Sequence, residues 1–360
     1  MKNQITRRRL LLSSLAGMAV PSLLKAAEPV RQEIPWLGEI QTAPSVLPKD
    51  APKLPPLLTG GSLADWRARR EEIRHWWRGF LGDMTPRQPT PTYEVIEEDR
   101  PSGVIRQLIR YEVEPGLLEK AYLLKPDAPD GRRPGVVAFH STFAGNMRQP
   151  AGIEGQPEKA FGLKLAERGC VAICPRCFLW SDDPKVSYRE HAERFQERHP
   201  GVKGMAKMLH DAQVALDILA GLPEVDQNRL GAVGHSLGAK EALYLAAFDE
   251  RVRVTASSEG GIGTGFSNWE APWYLGADIR RGDFSHEHHE LLALVAPRAF
   301  LLLGGDSADG DRSWPFIEAV LPVYRLYGRT PAIGLFNHKQ GHAVPPEAER
   351  RIYQWLQAHL

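Results

Sequence analysis

The chain has 360 residues, 45 Lys+Arg against 44 Asp+Glu, 42% apolar and 25% charged residues. These are ordinary globular values and argue against disorder. Lys2, Arg7, Arg8, Arg9 and Lys25 carry all the charge of residues 1–27, so residues 28–360 are net −4 and hold no basic block. That balance argues against nucleic acid as a partner, and the lack of an internal repeat argues against a solenoid or propeller.

In chain order, Thr6-Arg7-Arg8-Arg9-Leu10-Leu11 opens an apolar run that ends near Leu24. A basic start, a short apolar stretch and small residues at Ala26-Ala27 read as a signal peptide, and the paired arginines read as the twin-arginine type. Residues 1–27 are therefore expected to direct export to the periplasm or beyond. No later segment is apolar enough to span a bilayer. Residues 28–92 follow as a Pro-rich arm, with seven prolines between Pro29 and Pro56, and then an amphipathic helix over 62–82. Trp66, Ile73, Trp77 and Phe80 share one side of that helix and should pack it onto the body of the protein.

From residue 93 the pattern alternates between strand and helix signals. Strand-like runs fall at 93–98, 104–113, 118–124, 135–140, 170–174, 229–234, 252–257, 299–304 and 331–336. The first three are separated only by turn residues and predict an antiparallel start. The later ones are separated by helix-length segments, as crossovers to parallel strands require. Val136–Phe139 and Phe300–Leu303 are almost wholly apolar, as strands buried on both faces must be. The expected architecture over 93–360 is one α/β domain with helices on both faces of a mostly parallel sheet.

The cysteines, Cys170, Cys174 and Cys177, are odd in number, which excludes a complete disulfide framework. Cys174–Cys177 has CxxC spacing, but zinc needs a second ligand pair and the sequence offers none. A structural role, with one local disulfide at most, is expected.

Arg229–Val233 leads into Gly234-His235-Ser236-Leu237-Gly238 and then into Ala239–Leu243. A strand, a G-x-S-x-G turn and a helix form the nucleophile elbow of the α/β-hydrolase fold. Gly234 and Gly238 give clearance for a tight turn, Ser236 is the nucleophile, and the Leu237 amide faces a developing oxyanion. The second oxyanion donor should come from His140-Ser141-Thr142, after the strand at 135–139, from the Ser141 or Thr142 amide, with Gln149 shaping the loop beyond. The base should follow the last strand: Gly341-His342 stands there before a helix at 346–359, with His338 as its rival. For the acid, Asp309 after Phe300–Leu303 has the best spacing and Asp311 the second, while Glu259 after strand 252–257 competes.

Four stretches together resemble the glucuronoyl esterases and their hydrolase relatives. They are Gly234-His235-Ser236 with Lys240 and Ala247–Val252; Ser258-Glu259-Gly260-Gly261; Asn268-Trp269 through Trp273-Tyr274; and His288–Arg298. The match covers about residues 130–345, and also touches dienelactone hydrolases and acetyl xylan esterases. The resemblance implies Ser236 as nucleophile, His342 as base, and Glu259 or the Asp309 region as acid. It implies Lys240 facing substrate hydroxyls and Trp269 and Trp273 over the site. Family members usually carry Arg directly after the serine, and here Leu237 stands in its place. That departure bears on recognition of a uronate ester; cleavage of a carboxylic ester survives it.

The expected activity is an exported serine esterase acting on a carboxylic ester, small or oligosaccharide-linked, with no metal or organic cofactor. The alternatives are a sugar deacetylase or dienelactone-type hydrolase, and a non-catalytic carbohydrate-binding protein of the same fold. His286, His288 and His289 invite a metal reading, but a structural role at a helix start is the stronger one.

Overall fold

Among the described residues, nine strands form one sheet in the order β1-β2-β3-β5-β4-β6-β7-β8-β9. They are β1 (Tyr93–Asp99), β2 (Val104–Glu114), β3 (Leu117–Pro126), β4 (Arg133–Phe139), β5 (Val171–Pro175), β6 (Val225–His235), β7 (Val252–Ser258), β8 (Ala299–Gly304) and β9 (Ile333–Asn337). The computed structural model of the protein describes residues 33–58, 60–127 and 131–360. The signal peptide expected over 1–27 lies outside the described residues.

The pairings β1/β2, β2/β3 and β3/β5 are antiparallel. Those from β5 through β4 and β6 to β9 are parallel. The mixed sheet is thus the one its connection lengths dictate. β4 side chains alternate: Val137 and Phe139 enter one apolar cluster, Val136 and Ala138 the other. Burial on both faces is why this strand reads as a continuous apolar run.

The helices are α1 (Leu37–Ile40), α2 (Leu63–Leu81), α3 (Phe161–Glu167), α4 (Tyr188–Arg198), α5 (Gly204–Gly221), α6 (Leu237–Phe248), α7 (His289–Val295), α8 (Trp314–Arg325) and α9 (Pro346–His359). The cluster on one face draws on α1, α3 and α9, and the cluster on the other on α2 and α4 to α8. α2 starts at a capping box: Ser62 Oγ accepts from the Asp65 amide, and the Asp65 carboxylate accepts from the Ser62 amide. It buries Trp66, Ile73, Trp77 and Leu81, and leaves Phe80 half-buried at the margin of the same cluster.

The edge strand β9 is covered by the arm. Ile40 packs on Gly334, and Gln41 Nε2 donates to the carbonyls of Pro331 at 2.7 Å and Ile333 at 2.9 Å. Covering free carbonyls in this way blocks pairing with another chain. Among the described residues no helix is long and apolar enough to cross a membrane.

All three cysteines are free and buried. Cys174 lies in the cluster on one face and Cys177 in that on the other. The local disulfide allowed by their spacing is therefore absent.

The chain leaves β4 toward β5 and then returns to β6 on the opposite side of β4. The connections diverge at this point, opening a crevice at the carboxyl ends of β4 and β6. The loop after β4 and the turn after β6 line it.

Candidate active site

Ser236 joins β6 to α6 with φ 59° and ψ −117°. A non-glycine residue in that region is strained and persists only where its surroundings enforce it. Here the Ser236 amide donates to Ser258 O at 2.8 Å. A Cβ on Gly234 would overlap the backbone of Gly238, and one on Gly238 would press on Phe139. The two glycines thus let α6 close on β6 and β4. Leu237 is the first residue of α6, so its amide has no intrahelical acceptor and is free to donate into the crevice. Its side chain is buried.

His342 and Glu259 meet. Glu259 Oε2 is 3.0 Å from His342 Nδ1 and accepts from the Ala308 amide at 2.7 Å, while Oε1 accepts from the Gly305 amide. Glu259 is 1% exposed, whereas the His342 side chain is 42% exposed toward the crevice. A carboxylate on Nδ1 selects the tautomer whose Nε2 carries the lone pair. The close approach in the His342 loop falls at Gly305, whose Cβ would overlap the Gly341 carbonyl. Gly341 itself adopts φ 69° in open space.

Thr142, Ser236, Leu237, Lys240, Glu259 and His342 line one cavity of about 420 Å³. Its other walls are Gly260, Phe266, Ser267, Asn268, Tyr274, Ser307 and Ala308. A separate cavity of about 270 Å³ between α2 and α5 shares none of these residues.

Several candidate residues sit elsewhere. Asp309 does not touch His342: its carboxylate, fully buried, accepts from Gly261 N at 2.7 Å, Ile262 N at 2.8 Å and Ser313 Oγ at 2.8 Å. Burial raises its pKa, against the pull of those donors. Asp311 is engaged with Asn337 and Lys339. The Ser141 amide is not an open oxyanion donor, because it is already donated to Gln149 Oε1 at 2.9 Å. Thr142, next along, is the residue of this loop that faces the cavity. The loop is fixed from below by His140, whose Nδ1 lies 2.7 Å from Ser141 O and whose Nε2 accepts from the Cys177 amide at 3.1 Å. Burial pushes the His140 pKa down to about 4, so the ring is neutral.

Lys240 reaches the cavity but is 3% exposed. Its Nζ donates to Gly260 O at 2.7 Å and lies 3.9 Å above the Trp269 ring. Burial pushes its pKa down to about 7, against the opposing charges of Asp309 and Glu270. Trp269 is buried behind Lys240, with Nε1 donating to Gly261 O at 2.7 Å, and does not line the cavity. Trp273 packs its backbone on Gly204 and does not line it either. Within the aromatic segment Asn268 and Tyr274 reach the cavity, while Trp269 is held behind it by the bond from its indole N–H to a buried carbonyl.

His288 is likewise structural. Nδ1 bonds Ile262 O at 2.8 Å and Nε2 bonds Tyr244 OH at 2.9 Å. Among the described residues no group of three or more His, Cys, Asp and Glu side chains is placed to hold a metal ion. The rival base His338 has Nδ1 committed to the Gln340 amide at 3.2 Å, and burial lowers its pKa.

Solved structures share this arrangement of strands and helices. A glucuronoyl esterase from Solibacter usitatus aligns with a TM-score of 0.68 at 18% identity, over 87% of this chain and 99% of that one. The fold is the α/β-hydrolase fold. A Bacteroides fragilis NCTC 9343 protein described as a "putative acetyl xylan esterase" aligns with a TM-score of 0.64 at 15% identity, over 82% of this chain and 80% of that one. Residues 120–268 match the dienelactone hydrolase family. The "Putative hydrolase YtaP" of Bacillus subtilis (strain 168) is 25% identical over 305 residues, covering 80% of this chain and 100% of that protein.

Proposed function

We propose that the protein is a serine esterase that cleaves a carboxylic ester through an acyl-enzyme. One observation carries the reading: a serine on a strained elbow shares a cavity with a histidine whose Nδ1 is held by a buried carboxylate. His342 Nε2 takes the Ser236 proton as Oγ attacks the ester carbonyl, and Glu259 offsets the charge of the imidazolium. The Leu237 and Thr142 amides face the developing oxyanion. Collapse of the tetrahedral adduct expels the alcohol, protonated by His342. Water, deprotonated by the same histidine, then releases the acid and restores Ser236.

The match to the dienelactone hydrolase family and the likeness to carbohydrate esterases support an ester-bond hydrolase. A hydroxylated substrate suits the cavity wall of Ser267, Asn268, Ser307 and Thr142. Among the described residues that line the cavity, Lys240 is the lone lysine or arginine, and Leu237 stands where the family usually carries arginine. A glucuronoyl ester, whose carboxyl is itself esterified and uncharged, thereby lacks the arginine contact that the family resemblance implies, which favours a small acyl group such as acetate on a sugar. The N-terminal sequence supports action outside the cytoplasm.

The test is turnover of a methyl glucuronate ester and an acetylated xylo-oligosaccharide by residues 28–360, with Ser236→Ala as control. Preference for the acetate, abolished in the variant, is expected. Preference for the uronate would overturn the argument from Leu237, and turnover undiminished in Ser236→Ala would overturn the mechanism.

A further inference from the structure

Two carboxylates at the ends of neighbouring strands exchange partners. Glu259, after β7, is bound by amides of the turn after β8, those of Gly305 and Ala308. Asp309, in the turn after β8, is bound by amides of the turn after β7, those of Gly261 and Ile262. The exchange is tightened by the Asp309 carbonyl, which accepts from the Gly305 amide at 3.1 Å and the Asp306 amide at 2.9 Å.

The turn after β7 needs such support. Glu259 stands at φ 55° and Gly261 at φ 75°, and the left-handed region is disfavoured for glutamate. Every described polar contact of its backbone is made by a buried element. Glu259 N donates to Leu303 O at 2.9 Å, Gly260 O accepts from Lys240, Gly261 O from Trp269, and Ile262 O bonds His288. Asp309 supplies both acceptors for the two successive amides. Parallel N–H groups 2.7 and 2.8 Å from separate oxygens require two acceptors, and a carboxylate presents them where a carboxamide presents one.

We propose that Asp309 is a positioning residue: by binding the Gly261 and Ile262 amides it holds Glu259 in the left-handed conformation that sets its carboxylate on His342 Nδ1. The inference rests on the reading of Ser236, His342 and Glu259 as a triad, and it gives Asp309 a role distinct from that of an orienting acid. Ser313, fully buried, is part of the same device, since its hydroxyl donates to Asp309 Oδ1.

The test is a double-mutant cycle on the full-length protein between Asp309→Asn and Glu259→Gln, read by ester hydrolysis. Asp309→Asn should lower kcat about tenfold or more with KM changed less than about twofold. The double variant should be no slower than Glu259→Gln alone, because the clamp has nothing left to position. A kcat for Asp309→Asn within about twofold of the parent, or losses that multiply in the double variant, would overturn the proposal. Ser313→Ala carries the same test if Asp309→Asn does not fold, with a smaller loss of kcat that also vanishes in the Glu259→Gln background.

A second readout needs no turnover. The hydrogen-bonded Nδ1 proton of His342 should give a low-field proton resonance in the parent and in Ser236→Ala, and one moved upfield in Glu259→Gln, whose carboxamide oxygen keeps the contact without the charge. It should be lost or shifted in Asp309→Asn; an unchanged resonance there would refute the clamp. If neither substrate is turned over, the esterase reading fails while the clamp is still judged by this signal.

Discussion

Glu259→Gln isolates the charge that the site places against the imidazole, because the side chain keeps its size. Three donors converge on the carboxylate: Gly305 N on Oε1, and Ala308 N and His342 Nδ1 on Oε2. A glutamine must turn its NH2 toward one of these groups. The less costly choice faces Gly305, which keeps the contact to His342 but removes the charge. With centres of charge about 4 Å apart and an effective dielectric near 20, the lost attraction to the imidazolium is about 4 kcal/mol. The 42% exposure of His342 admits solvent screening and lowers this to about 2–3 kcal/mol. At about 1.4 kcal/mol per factor of ten, kcat should fall about 30- to 150-fold. Steady-state hydrolysis of 4-nitrophenyl acetate reads it, with KM little changed because the missing charge acts on the transition state. A loss smaller than about threefold would mean that Glu259 is not the acid that His342 uses.

Other substitutions test the surroundings. Gly238→Ala places a methyl against Phe139 and should lower stability by about 1–3 kcal/mol, read as a fall in the urea midpoint; an unchanged midpoint would contradict the packing of the elbow. Gln149→Leu strands the buried Ser141 amide and should cost about 1–3 kcal/mol in the same measurement, together with a fall in kcat as the Thr142 loop loosens. Lys240 has a pKa pushed down to about 7 from 10.5, so between those values the unfolded chain holds one more proton than the folded protein. Stability from this group therefore rises with pH across the window, by up to about 1.4 kcal/mol per unit, and its penalty is fully present below pH 7. Lys240→Met should flatten that slope in urea titrations at several pH values, and parallel slopes in the two proteins would refute the burial argument.

The sheet was legible because its signals are local. Nine alternating or apolar runs fall where the nine strands stand, and β4 reads as doubly buried because both its faces are. The elbow was legible for the same reason, since its glycines, serine and helix start are contiguous. The acid was not. Glu259 and Asp309 both follow strands that neighbour the histidine strand or the nucleophile strand, and spacing favoured Asp309. Which one meets His342 depends on which turn's amides bind which carboxylate, and that exchange joins residues 46 to 49 apart in sequence. The second oxyanion donor failed to separate for a similar reason, because only the Gln149 side chain tells the Ser141 amide from that of Thr142. The resemblance implied Trp269 over the site, and it is instead a buried donor to Gly261 O. A sequence shows that a tryptophan is present but not which buried carbonyl requires its N–H.

The most direct measurement is intact-mass analysis of the protein after exposure to a fluorophosphonate, which reacts with activated serines, followed by peptide mapping. An activated Ser236 predicts one adduct per chain, mapped to the peptide containing Ser236, absent in Ser236→Ala and formed far more slowly in His342→Ala. No adduct, an adduct on another residue, or equal labelling of Ser236→Ala would contradict the claim that this elbow carries the nucleophile.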